Sequence, residues 1–213
     1  MVYRKILFVL HLPPPVHGSS MMGQYIHDSR IINESFTTRF IDLGTSNFIN
    51  HIGKNPISKF PRYLKILISF IYQIFKFKPN LIYLAITAKG IGFYKDLPLV
   101  LIAKLFNKKL VLHFHNKGVR EYQNNFFDNF LYQLLFKNTK VILLSQLLYD
   151  DVRKYVAAED VYYCPNGIPV VEFKKVNKKA NQTPELLFLS NLIESKGVFV
   201  LLDALKILKI QKI

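Results

Sequence analysis

The sequence predicts an α/β protein built on a doubly wound parallel sheet, and three observations carry the prediction. Apolar runs recur at even spacing, and several, such as KILFVL from Lys5 and NLIYLAI from Asn80, are apolar almost throughout rather than alternating. A strand of that kind is buried on both faces, the condition of a strand in a parallel sheet. Helical patterns lie between these runs, and each strand–helix–strand unit takes about 30 residues, as a βαβ unit requires. The composition supplies a large core, since 50% of the 213 residues are apolar and 14% are aromatic.

The elements follow in order. KILFVL from Lys5 is the first strand. Pro13, Pro14 and Pro15 then fix φ and remove three backbone donors, so neither strand nor helix continues. Gly18 allows a positive φ or a close approach by another molecule. Ser19 and Ser20 are suited to cap a helix over 20–33. RFIDL from Arg39 is the second strand, and a helix is expected over 56–76. NLIYLAI from Asn80 precedes a helix over 90–106, and KLVLHFH from Lys109 precedes one over 124–136. KVILLS from Lys140, a helix over 146–155 and VYYCP from Val161 complete a domain of residues 1–167. Residues 168–184 are polar, lysine-rich and without period, as a linker is. Residues 185–213 hold ELLFLS and one helical pattern, which predict the first strand and helix of a second Rossmann-like domain. One such pair cannot bury its own apolar faces, so this second domain is expected to be incomplete.

The formal net charge of +15 points to an anionic partner, and its distribution narrows the class. The candidates are nucleic acid, anionic lipid and a phosphorylated substrate; the lysines are spread along the chain among isoleucine and phenylalanine, and no compact nucleic-acid motif is present, so lipid is favoured over nucleic acid. The single cysteine, Cys164, excludes an internal disulfide framework and fits a reducing compartment. The apolar run after Met1 is short and lacks a small-residue cleavage site, so it reads as a buried strand rather than a secretory signal. The core of the 56–76 helix is closed by Lys65 and Lys76, short of the roughly 20 apolar residues that a membrane span needs. That helix, with Phe60, Tyr63, Phe70, Tyr72, Phe75 and Phe77, either lies on an anionic surface or packs on the sheet, and its two faces allow both.

Candidate site residues cluster where strands end. The loop through Gly18, Ser19 and Ser20 leads into a helix N-terminus, a ready anion site. His113 and His115 share one strand face at its carboxyl end. A zinc pair lacks a third ligand of suitable spacing. A core role suits His113, and ligand contact suits His115, which Asn116, Lys117 and Gly118 follow. Asn166 and Gly167 form a turn dipeptide ahead of the linker. Cys164 sits in an apolar strand without an activating partner and reads as structural. Lys196 and Gly197 repeat the logic of the first loop, a cation beside a helix N-terminus. Neither a Walker pattern nor G-x-G-x-x-G occurs, which counts against P-loop and ordinary dinucleotide readings.

Taken in order, FVLHLPPPVHGSS, LVLHFHNKG, CPNGI, the linker and LLFLSNLIESKGVFVLLDALK resemble the GT-B-fold retaining glycosyltransferases of family four along the whole chain. The resemblance implies a Rossmann-like N-terminal domain on the acceptor side and the beginning of a donor-side domain. It implies transfer of a sugar from a nucleotide-sugar to a glycan or lipid-linked acceptor in cell-surface polysaccharide synthesis, with no metal and no other cofactor. By resemblance Gly18, Ser19 and Ser20 form the glycine loop at the cleft, and His115 faces the transferred sugar. Asn166 and Gly167 are the turn before the hinge, and Lys196 contacts the donor diphosphate. The chain departs from the family at Ser190-Asn191, where Gly-Arg is usual, and the family's paired glutamates would fall beyond Ile213. The expectation is a shortened chain, inactive in transfer as it stands, cytoplasmic and peripheral on the inner face of the cell membrane. Two other classes are carried alongside: a non-catalytic α/β domain binding a membrane surface or a partner, and another GT-B-like enzyme such as a sugar-nucleotide epimerase.

Overall fold

The structure, a computed structural model, describes residues 4–45, 56–168, 186–190, 192 and 194–210. Two compact units divide at Ile168. The first is a six-stranded sheet of order β2-β1-β3-β4-β5-β6, formed by Lys5–Leu10, Thr37–Asp42, Leu81–Ile86, Lys109–Phe114, Lys140–Leu143 and Val161–Tyr163 for β1 to β6. Every pairing is parallel. The fold class is therefore as predicted, α/β with a Rossmann-like parallel sheet, and the apolar runs are its buried strands. In β3 every residue after Leu81 is buried.

Between the strands lie α1 (Gly18–His27), α2 (Arg30–Ser35), α3 (Pro56–Lys76), α4 (Gly90–Leu105), α5 (Val119–Tyr122), α6 (Phe126–Phe136) and α7 (Tyr149–Val152). The chain moves left from β1 to β2 and right at every later step. Right-handed crossovers then place α1 and α2 on one face and α3, α4, α6 and α7 on the other. The two cores agree with this. Ile66, Phe70 and Ile74 of α3 join Phe93 and Val100 of α4 and Leu135 of α6 in the larger cluster. Phe8, Leu10, Tyr83 and Ala85 face the smaller one, which Ile26 and Ile32 cover.

Several boundaries differ from the sequence prediction, each for a local reason. The helix expected over 20–33 is two helices, because Asp28 caps the first and the Ser29 hydroxyl caps the second. The first of them begins at Gly18, since His17 rather than Ser19 or Ser20 is its N-cap. The second strand starts at Thr37, two residues early, where it pairs with Lys5. The 146–155 helix is reduced to a 3-10 turn, Gln146–Leu148, and one turn of α7. Cys164 lies past β6 and is exposed, not inside an apolar strand.

Asp151 of α7 carries a further local load. Its carboxylate accepts the backbone N–H groups of Gly118, Val119 and Arg120 at 2.8, 3.1 and 3.1 Å, satisfying the first turn of α5. Asp151→Ala leaves those donors without their acceptor, and a loss of roughly 2–4 kcal/mol is expected in urea unfolding. A loss below about 0.5 kcal/mol, the scale of a plain surface substitution, would show that water replaces the carboxylate.

In the second unit, α8 spans Val198–Ile210 after the 3-10 turn Glu194–Lys196. The strand expected from Glu185 is not formed among the described residues: Leu186, Leu187 and Leu189 are irregular and exposed. The reason is that a strand is stabilised by paired neighbours, and this unit contributes none among the described residues.

Candidate functional site

The strand order fixes where a site belongs. Chain direction reverses around β1, whose neighbours β2 and β3 are reached in opposite directions. In open α/β sheets a ligand crevice forms beyond the carboxyl ends of the strands at such a switch point. A cavity of about 330 Å³ lies there, lined by His11 after β1, Gly18 and Ser19 of α1, residues 85–87 at the end of β3, His115 and Asn116 after β4, and Asn166 after β6. Its volume is within the range of small-molecule sites.

The loop that floors this cavity is held by short-range bonds. The Asp42 carboxylate accepts the N–H of Leu12 at 3.0 Å and of Gly44 at 2.8 Å, tying the loop after β1 to the end of β2. At the start of α1, the Ser20 hydroxyl donates to Pro15 O at 2.8 Å and accepts the His17 N–H at 2.9 Å, while the Ser20 N–H donates to His17 Nδ1 at 3.3 Å. This reciprocal capping box aims the N-terminus of α1 at the cavity. Ser20 is fully buried and its hydroxyl is taken up in the cap. Gly18 lines the cavity, is exposed and does not adopt a positive φ, and a Cβ there would meet no atom within 4 Å, so no protein contact requires glycine at this position. On the opposite wall Asn116 Oδ1 accepts the Ala88 N–H at 3.0 Å, tying the segment after β3 to that after β4, and the Tyr132 hydroxyl of α6 donates to Ala88 O at 2.8 Å.

Four histidines gather at these strand ends. The His11 and His17 rings are 5.8 Å apart, and those of His113 and His115 are 4.2 Å apart. Burial pushes His11 down to about 3, aided first by the positive charge of Lys95 and then by the neighbouring His17 and His115. Burial likewise pushes His113 down to about 3, with His115 adding to it. His115 is lowered by burial, against an opposing hydrogen bond from Asn166, and His17 is lowered by burial against the attraction of Asp42. The cavity therefore presents neutral imidazoles at pH 7. His113 bonds the Tyr83 hydroxyl through Nδ1, whereas its Nε2 and the Nδ1 of His115 are buried without a hydrogen-bond partner.

Of the residues singled out in the sequence, Gly18, Ser19, His115 and Asn166 meet at the cavity, Ser20 supports it from beneath, and Gly167 is exposed next to Asn166. Lys196 belongs to the second unit, where it is exposed and ends the 3-10 turn before Gly197. Among the described residues no group of three or more His, Cys, Asp or Glu side chains could hold a metal ion. Sequence reasoning missed His11, Thr87 and the positioning Asp42. His11 and Asp42 carried a signal, each being a polar residue placed at the end of an apolar strand.

No protein-family profile matches the chain. No curated protein matches it. Among solved structures it is similar to a protein from Listeria monocytogenes described as a UDP-N-acetylglucosamine 2-epimerase, with 11% identity over 76% of this chain and 44% of that one and a TM-score of 0.48. It is also similar to the S. aureus protein MnaA solved with UDP, with 10% identity over 75% of this chain and 43% of that one and a TM-score of 0.43. The chain spans less than half the length of either. Neither likeness, at that score and identity, bears on what this chain does. Its own strand order and register establish an α/β protein with a Rossmann-like parallel sheet.

Proposed function

We propose that this chain is the acceptor-side part of a glycosyltransferase that uses a nucleotide-sugar donor, and that the switch-point cavity receives the sugar being transferred. The observation that carries the reading is the convergence of the α1 N-terminus, His115 and Asn166 on one cavity of about 330 Å³. The helix N-terminus favours an anionic group such as a phosphate. A neutral imidazole exchanges hydrogen bonds with a sugar hydroxyl without adding charge. In this reading the bond from the anomeric carbon to the diphosphate oxygen breaks, and that carbon bonds to the acceptor oxygen with retention. The acceptor's proton leaves with the diphosphate. His115 orients the sugar, and Lys196 offsets charge on the leaving diphosphate. The latter two roles, with those of Ser19, Ser20 and Gly167, rest on the sequence resemblance.

Gly18→Val separates site from fold. The added side chain meets no protein atom and valine is no poorer a helix former than glycine, so urea stability is expected to change by no more than about 1 kcal/mol. Binding of nucleotide-sugar, followed by calorimetry, is expected to fall at least ~10-fold from occlusion. Unchanged affinity would place the ligand elsewhere. Conversion of a nucleotide-sugar into its epimer with no acceptor present would instead assign sugar-nucleotide epimerisation.

A further inference from the structure

The outward side of the helix layer is apolar in a way a solvated surface is not. On α3, Phe60, Leu64, Ile68, Tyr72 and Phe75 recur three or four residues apart and are 44–61% exposed, opposite the buried face of Ile66, Phe70 and Ile74. This helix is thus apolar on two faces, only one of which the sheet uses. The pattern continues on α4, where Ile91, Tyr94, Leu101 and Leu105 are exposed, and on α6, where Phe126, Phe127 and Phe130 are. The three helices lie side by side, with Phe75 against Phe106 just past α4 at 4.9 Å and the Tyr94 hydroxyl on Asp128 of α6 at 2.6 Å. Large apolar side chains exposed in this number on three adjacent helices mark an interaction site.

Its charge selects the partner. α3 contains no acidic residue, and the only carboxylates on α4 and α6, Asp96 and Asp128, are buried. Glu121 on the neighbouring α5 is paired with Lys89. Lysines border the apolar residues: Lys65 and Lys76 on α3, Lys104 on α4, and Lys137 after α6. Lys104 and Lys137 stand close together at this edge, the Lys104 ammonium donating to Lys137 O. Two copies of this cationic face would repel each other, whereas aromatic and aliphatic side chains ringed by lysine suit the headgroup region of an anionic bilayer. None of the described helices is long and apolar enough to cross a membrane, so contact would be at the surface. We infer that the α3–α4–α6 layer is a docking face for an anionic lipid bilayer, independently of what the switch-point cavity binds.

The test uses the full chain with phosphatidylcholine vesicles, with and without phosphatidylglycerol. Co-sedimentation is expected only with phosphatidylglycerol and is expected to weaken in salt. The triple variant Phe60→Ser, Ile68→Ser, Tyr72→Ser is expected to reduce partitioning at least ~10-fold, since the apolar area and not the charge is removed. Lys65→Gln with Lys76→Gln is expected to flatten the salt dependence. The protein has no tryptophan, so Ile68→Trp gives a single reporter that does not depend on the triple variant folding. Its emission is expected to shift to the blue on phosphatidylglycerol vesicles, while that of Leu147→Trp, on the exposed turn Gln146–Leu148, stays unchanged. No sedimentation with phosphatidylglycerol, equal blue shifts at both positions, or a stable dimer in solution that the triple variant dissociates would each overturn the inference.

Discussion

Gly23→Ala is expected to destabilise the protein by roughly 2–4 kcal/mol, more than overpacking at a yielding site would. An alanine Cβ at this position would stand 2.0 Å from His11 O, 3.2 Å from His11 C and 3.0 Å from a Leu10 methyl. The nearest atom is backbone at the very end of β1, so no side chain can swing aside. Helix α1 would have to lift off the strand that it covers, and α1 also forms one wall of the cavity. Alanine's better helix propensity returns only about 1 kcal/mol. Urea unfolding of Gly23→Ala beside Gly18→Ala makes the comparison within one helix, because a Cβ at Gly18 meets nothing. Equal stabilities would mean that α1 does not rest on β1 as described.

Acid is expected to unfold the protein from an unusually high pH, through the histidines at the strand ends. His11 and His113 sit near 3 in the folded state, against an ordinary value of 6.5. Above about 6.5 both are neutral whether folded or not, and their folded environment costs nothing. Between about 6.5 and 3 the unfolded chain binds protons that the folded chain does not, so stability falls as pH falls. Each contributes a slope of about 1.4 kcal/mol per pH unit, giving roughly 2–3 kcal/mol per unit for the pair. His17 and His115 are shifted in the same direction. Asp96 acts the other way, because burial raises its carboxyl above 3.8 and favours the protonated folded form as pH drops towards that range. Urea-derived stabilities from pH 8 to 5 should therefore decline steeply below 6.5, and His113→Gln, which keeps an acceptor for the Tyr83 hydroxyl, should show about half the slope. A flat profile between pH 7 and 5 would mean that these imidazoles protonate in place.

The sheet was legible because its strands are buried on both faces. KILFVL, NLIYLAI and KLVLHFH appear within a residue of their observed bounds, since an unbroken apolar run flanked by lysine or asparagine has one stable use in an α/β fold. The α3 helix was legible too, and its second apolar face was visible as an excess of aromatic residues. Ends set by side-chain hydrogen bonds were not. His17 caps α1 through its ring nitrogen, a role that propensity gives to serine, and Ser29 splits a helix whose apolar pattern runs on. ELLFLS has the composition of a strand, and its state depends on partners that composition does not contain. The nearness of Gly18, Ser19 and His115 followed from the rule that loops after parallel strands share one edge, whereas Asn166 read locally only as a turn dipeptide. His11 and Asp42 emerge only once β1 is known to sit at the reversal of strand order, a property of topology rather than of any local stretch.

The most direct test of the central claim, that the switch-point cavity takes the sugar end of a nucleotide-sugar, is an NMR titration. The isotopically labelled full chain would be titrated with UDP-, GDP-, ADP- and dTDP-hexoses, following backbone amides and histidine ring protons. The account predicts that at least one donor moves Gly18, Ser19, Asn166 and the His115 ring together and saturably, and that Gly18→Val abolishes the response. If no donor moves these resonances, or the shifts fall on residues away from the ends of β1, β3 and β4, the assignment of this cavity is wrong.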